Sequence, residues 1–138
     1  MRGEPTSMNS RTHSTTVAVW HADVFAYLSQ SANIPEWAPG FAREVRVDGD
    51  DVLVTNDAEE RRVRVRLNEE FGIVDFFLAI RADGSRLSST MRIVATGAHA
   101  TEVLFTLFRI PGEYDENFAE RAKVIPGELA FVSVRFGG

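Results

Sequence analysis

The sequence predicts an α+β domain: a curved antiparallel sheet of about seven strands, wrapped around a long C-terminal helix. Two observations carry the prediction. Short segments of alternating apolar residues recur from Phe41 to Ile110, and an apolar stripe at helical spacing runs from Phe118 to Phe136. A sheet and a helix each have an apolar face to bury, and packing one on the other buries both.

A length of 138 residues suits one domain with a core large enough to need no metal or disulfide staple. Residues 1–12, polar and aperiodic, read as a disordered tail, and residues 13–138 as the single domain. Cysteine is absent, which excludes disulfides, thiol nucleophiles and Cys-type zinc sites. A net charge of -5 argues against nucleic acid, whose phosphates need a surplus of cations. No apolar run approaches the length of a membrane span or forms a signal-peptide core, so a cytoplasmic location is expected. The cations are almost all arginine, with Lys123 the one lysine, which reads as compositional bias.

The elements follow in order. "STTVAVW" (14–20) is β-branched and reads as a first strand. In "ADVFAYLSQ" the period changes: Val24, Phe25 and Leu28 share one face of a short helix. Pro35 limits any second helical turn and Pro39-Gly40 ends it. "FAREVRV" and "DVLVTN" flank a turn at Asp48-Gly49-Asp50. In "RRVRVRLN", Val63, Val65 and Leu67 alternate with Arg62, Arg64 and Arg66. The segments "GIVDFFLAI" and "RLSSTMRIVAT" flank Asp83-Gly84, a strong hairpin signal, and "TEVLFTLFRI" is a further strand.

The two hairpins can be tested against one another. A turn at Asp83-Gly84 pairs Ile80 with Leu87, Leu78 with Ser89, Phe76 with Met91 and Val74 with Ile93. A turn at Glu70-Phe71 pairs Val74 with Leu67, Phe76 with Val65 and Leu78 with Val63. Both place one apolar set on one face, as a buried sheet face requires.

In the last segment, Phe118, Ala122, Ile125, Leu129, Val132 and Phe136 step by four, three, four, three and four. Asp115 and Glu116 sit in the first turn, where the helix dipole favours carboxylates. Pro126 removes a backbone hydrogen bond at mid-helix, so a kink is expected there.

This order, with the stretches "VFAYLSQSANIPEWAPGF", "FGIVDFF", "MRIVATGAHATEVLFTLFRIPG" and "ENFAERAKVIPGEL", resembles the SRPBCC superfamily, also called START-like or pollen-allergen-like. Within it, the chain is most similar to the polyketide cyclase/dehydrase and lipid-transport group. The resemblance covers nearly everything after Thr12 and rests on packing residues rather than a catalytic signature. It implies a helix-grip fold whose sheet and long helix enclose an apolar cavity, with two short helices closing one end. It also implies binding of lipids, polyketides or other hydrophobic molecules, and in some members cyclisation or dehydration. Pro126-Gly127 departs from the uninterrupted helix of that pattern.

Carriage of a hydrophobic small molecule is the leading expectation, with a cyclase- or dehydratase-type enzyme as the alternative. The expected wall comprises Trp37 and Phe41 beside the short helices, and Phe76 and Met91 on the sheet. Phe118, Ala122, Ile125 and Leu129 come from the long helix, and Ser89 is the candidate polar anchor. Periodicity alone does not separate such a wall from a solid core.

No catalytic constellation is visible. Asp75, a lone acid in "IVDFF", falls on the outer face opposite Arg66 and Arg92, where a cross-strand charge cluster accounts for it. Tyr27, Tyr114 and Ser89 are the remaining donors that an enzyme could use. The Arg62, Arg64, Arg66 stripe reads as a solvated strand face. His13, His21 and His99 lack metal-ligand spacing, and no glycine-rich nucleotide motif occurs, so neither metal nor cofactor is expected. "TEVLFTLFRI" is apolar on both faces, so some of its side chains are expected either to form an outward satellite cluster or to make a homodimer contact.

Overall fold

The computed structural model describes residues 9–57, 59–79 and 85–137. Strand β1 (Ser10–Val17) leads into helix α1 (His21–Leu28), a single 3-10 turn (Ser31–Asn33) and the short helix α2 (Ile34–Trp37). Six strands follow: β2 (Glu44–Asp48), β3 (Asp51–Thr55), β4 (Glu60–Asn68), β5 (Ile73–Ala79), β6 (Ser85–Gly97) and β7 (Ala100–Phe108). Helices α3 (Asp115–Lys123) and α4 (Ile125–Arg135) complete the chain. The strands form one antiparallel sheet in the order β1-β7-β6-β5-β4-β3-β2. The result is a helix grip: a curved sheet closed by a long, bent C-terminal helix and two short ones.

Strand β1 takes in Ser10 to Thr12, because its main chain pairs with β7 from Ser10↔Phe108 to Val17↔Thr101. Composition does not reveal such pairing. At the other hairpin ends, Gly97 and Ala100 close a tight turn around Ala98 and His99.

The β4–β5 register is the expected one, with Val63↔Leu78, Val65↔Phe76 and Leu67↔Val74. The turn that sets it contains Gly72 at φ 65°, where a β-carbon would come 2.2 Å from the Ile93 carbonyl oxygen. The β5–β6 register differs from expectation by two residues: Phe76 lies opposite Ser89 and Val74 opposite Met91. A shift of two preserves which face each side chain occupies, so alternation cannot detect it.

An extra residue on β6, Ser88, then breaks the ladder between Phe76 and Phe77. Beyond it Leu87 lies opposite Phe77 and Leu78 opposite Arg86, so Leu87 leaves the inner set. Asp83-Gly84 and Ile80 lie outside the described residues. Asp75 is opposite Arg66, as expected, but opposite Thr90 rather than Arg92 on β6. The Thr90 hydroxyl donates to its carboxylate at 2.5 Å.

The expected kink at Pro126 is a break at Val124, between α3 and α4. Pro126 falls in the first turn of α4, where a missing N–H removes no intrahelical bond. Phe118, Ala122, Ile125, Leu129 and Val132 are buried against the sheet and Phe136 packs at its margin. They meet Val63, Val74, Met91 and Val103 from the sheet and Val24, Leu28 and Ile34 from the short helices in one continuous core. No described helix is long and apolar enough to cross a membrane.

Candidate functional site: a cavity between sheet and helices

The core is not solid. A cavity of about 250 Å³ lies between α2, the inner sheet face and the α3–α4 break. Its wall is mainly apolar: Ile34, Trp37 and Ala38 from the short helices, Phe41 after them, Phe76, Leu78, Phe105 and Leu107 from the sheet, and Val124 and Ile125 from the break. Six polar residues join them: Arg61, Ser88, Ser89, Glu120, Arg121 and Glu128.

Trp37 is held where the sequence turns from helix to strand. Pro35 opens α2, and Ala38 donates its N–H to the Ile34 carbonyl at 2.7 Å, which closes the single turn. The indole is 3 % exposed and meets Phe105 edge-to-face, with centroids 6.2 Å apart. It is therefore both core and cavity wall. Its Nε1–H is buried without a hydrogen-bond partner among the described residues.

The bulge at Ser88 brings two successive hydroxyl residues of β6 to the same cavity. The Ser88 hydroxyl donates to the Phe76 carbonyl at 3.1 Å, while Ser89 is buried on the inner face. Arg61 shares the inward parity of Val63 and Val65 and pairs with Glu59 at 3.8 Å. Arg121 lines the helix side, but its guanidinium is engaged by Glu113 and by the Phe108 carbonyl.

Glu128 is the unusual group. It sits in the first turn of α4, next to the apolar stripe, and burial pushes its carboxyl up to about 7. The helix N-terminus favours the carboxylate by about 2 kcal/mol at most, less than burial costs it. The cavity thus holds a carboxyl that changes protonation near neutral pH.

The predicted residues divide accordingly. Trp37, Phe41, Phe76, Ser89 and Ile125 line the cavity. Met91, Phe118 and Ala122 are buried in the packed core beside it. Leu129 faces a separate, more open groove of about 410 Å³ between β1 and α4, shared with His13 and Ser133. Of the considered donors, Tyr27 donates to Glu36 at 2.7 Å, and burial first, then that bond, pushes its phenol up to about 12. Tyr114 is 75 % exposed, and neither tyrosine lines the cavity. Arg62 and Arg64 on the outer face pair with Asp48 and Asp51, and Arg66 lies 4.9 Å from the Phe77 ring centroid.

Among the lining residues that sequence reasoning missed are Glu128 and Arg61. Each carried a signal: Glu128 follows Ile125 by three and Val124 by four, and Arg61 continues the inward alternation of β4.

No protein-family model and no curated protein sequence matches the chain. Solved structures do. XoxI from Bacillus cereus superposes with a TM-score of 0.74 at 15% identity, covering 94% of this chain and 96% of its own. A START superfamily protein from Mycobacterium smegmatis gives 0.72 at 10% identity, over 94% and 97% of the two chains. The fold is START-like. The ZhuI aromatase/cyclase from a Streptomyces species shares it, with a TM-score of 0.62 at 15% identity over 91% and 92%. In this START-like frame the bent helix and the α2 segment bound the cavity described above.

Proposed function

We propose that the chain binds and carries a hydrophobic small molecule, a lipid, polyketide or aromatic compound, in the cavity between sheet and C-terminal helices. The observation that carries this reading is the apolar wall of Trp37, Phe41, Phe76, Leu78, Phe105 and Ile125 around open volume. Such a wall with a few placed polar groups is the usual make-up of a small-molecule site. The likeness in fold to a START superfamily protein and to an aromatase/cyclase supports it. Native mass spectrometry of freshly purified protein, followed by lipid and aromatic panels, tests it. A co-purified or added ligand bound one to one is the expected result; none across a broad panel overturns the reading.

Glu128 favours a second reading, a cyclase- or dehydratase-type enzyme. A carboxyl titrating near 7 can protonate a departing hydroxyl, or, ionised, remove a proton next to a carbonyl. Such an enzyme loses turnover in Glu128→Gln while still binding its substrate.

A further inference from the structure

Ser89 and Glu128 bring to the cavity polar groups that no described residue engages. The Ser88 hydrogen is committed to the Phe76 carbonyl. Ser89, buried on the inner face, makes no side-chain hydrogen bond among the described residues. Glu128 stands on the helix side of the same cavity, and its carboxyl has no ion-pair partner among them.

The charged groups that reach this cavity from the other elements are Arg61 of β4 and Glu120 and Arg121 of α3. Arg61 pairs with Glu59, Glu120 with Lys123 at 3.1 Å, and Arg121 with Glu113 at 2.7 Å. No cation is therefore reserved for Glu128, and burial alone governs its protonation. In the acid form its O–H is a donor in apolar surroundings, where an unmet donor is costly.

We propose that the cavity selects apolar molecules bearing a carbonyl oxygen, which accepts a hydrogen bond from the Glu128 carboxyl with Ser89 as a second donor. This rests on the reading that the cavity holds a hydrophobic molecule, and it adds the polar group that such a molecule carries. A hydrocarbon of the same shape fills the volume but leaves both donors unmet. An ionised Glu128 no longer donates, so selection for the carbonyl weakens as pH rises through about 7.

The test compares 2-acetylnaphthalene with 2-ethylnaphthalene by titration calorimetry, at about pH 5.5 and about pH 8.5 on either side of the transition. The wild-type chain is set against Glu128→Gln, Glu128→Leu and Ser89→Ala, with circular dichroism as the check that each is folded. At the lower pH the ketone binds wild type about tenfold more tightly than the hydrocarbon, the worth of one hydrogen bond, and this preference declines at the higher pH. Glu128→Leu and Ser89→Ala each reduce the preference, and what remains in Glu128→Leu is the pH-independent part that Ser89 supplies. Glu128→Gln, which retains an N–H donor, keeps the preference and loses its pH dependence. Equal affinities in wild type, or a preference undiminished in Glu128→Leu, overturn the carbonyl assignment and leave the hydrophobic site standing. Failure of both probes in every variant and at both pH values counts against the hydrophobic site itself, and the carbonyl assignment falls with it.

Discussion

Arg121 holds both carboxylate oxygens of Glu113, with Nε to Oε2 at 2.7 Å and Nη2 to Oε1 at 2.8 Å. The same Nη2 donates to the Phe108 carbonyl at 2.9 Å, and Glu113 accepts the Ile110 N–H at 3.1 Å. One guanidinium thus ties α3 to the end of β7 and to the connection between them, at the helix side of the cavity wall. It also lies 5.8 Å from the Phe118 ring centroid, which Arg109 covers at 4.7 Å.

Replacing Arg121 by Met is expected to cost about 3 kcal/mol, because it strands a carboxylate whose side chain is only 8 % exposed. Urea denaturation measures the loss. Arg121 holds the Glu113 carboxyl below its ordinary value of 4.5, so this stabilisation is complete above that pH and lost as pH falls through the lower folded value. The variant should therefore show a flatter acid limb than wild type. A wild-type slope would assign the acid sensitivity to other groups.

The opposite sign applies to Glu128. Its folded value of about 7 lies above the ordinary 4.5, so the folded state holds the proton more tightly and stability declines as pH rises between those values. Above about pH 7 the buried charge costs on the order of 3 kcal/mol. Glu128→Gln should raise Tm at pH 8 and leave it nearly unchanged at pH 4. Thermal unfolding across that range checks the point, and equal Tm shifts at both ends would contradict it.

How much of this was legible in the sequence follows from what periodicity can and cannot encode. The β4–β5 register was legible because Val63, Val65, Leu67, Val74, Phe76 and Leu78 form one apolar set around a short turn. The two-residue displacement on β6 was not, since Ser89 and Met91 keep their face either way. The bulge at Ser88 was equally silent, for no local composition marks it. Asp75 was read correctly as an outer-face residue from parity alone, though its acceptor role is toward Thr90 rather than a second arginine. Phe76, Ser89 and Ile125 could be placed on inward faces and Trp37 and Phe41 beside the short helices, whereas wall and core residues carry the same apolar signal. That ambiguity explains why Met91 and Phe118 fall in the packed core. Glu128 was missed because a charge at the border of an apolar stripe ordinarily belongs to solvent.

Gly72 tests the frame that positions β5. Its carbonyl accepts the Ile93 N–H at 2.8 Å, and its φ of 65° suits glycine. A methyl group there would meet the Ile93 carbonyl oxygen at 2.2 Å, a backbone atom that cannot swing aside. Gly72→Ala should lose about 2–4 kcal/mol through positive φ and the clash together. Gly127→Ala is the control, since nothing lies within 4 Å of an added β-carbon there and the residue is helical. A similar cost at both sites would refute the steric account.

Trp37 gives the most direct view of the cavity. Only two tryptophans are present, and the other, Trp20, is 52 % exposed at the start of α1. In a Trp20→Phe variant, emission comes from the buried indole that lines the cavity and packs on Phe105. Saturation with any molecule that enters the cavity should shift or quench that emission. Trp37→Phe should keep the fold at a cost of about 1–3 kcal/mol, since the aromatic contact survives in part while volume is lost. It should also alter affinity, because the wall recedes on the α2 side. Unchanged emission on saturation would mean that bound molecules do not reach the indole and that Trp37 serves packing alone.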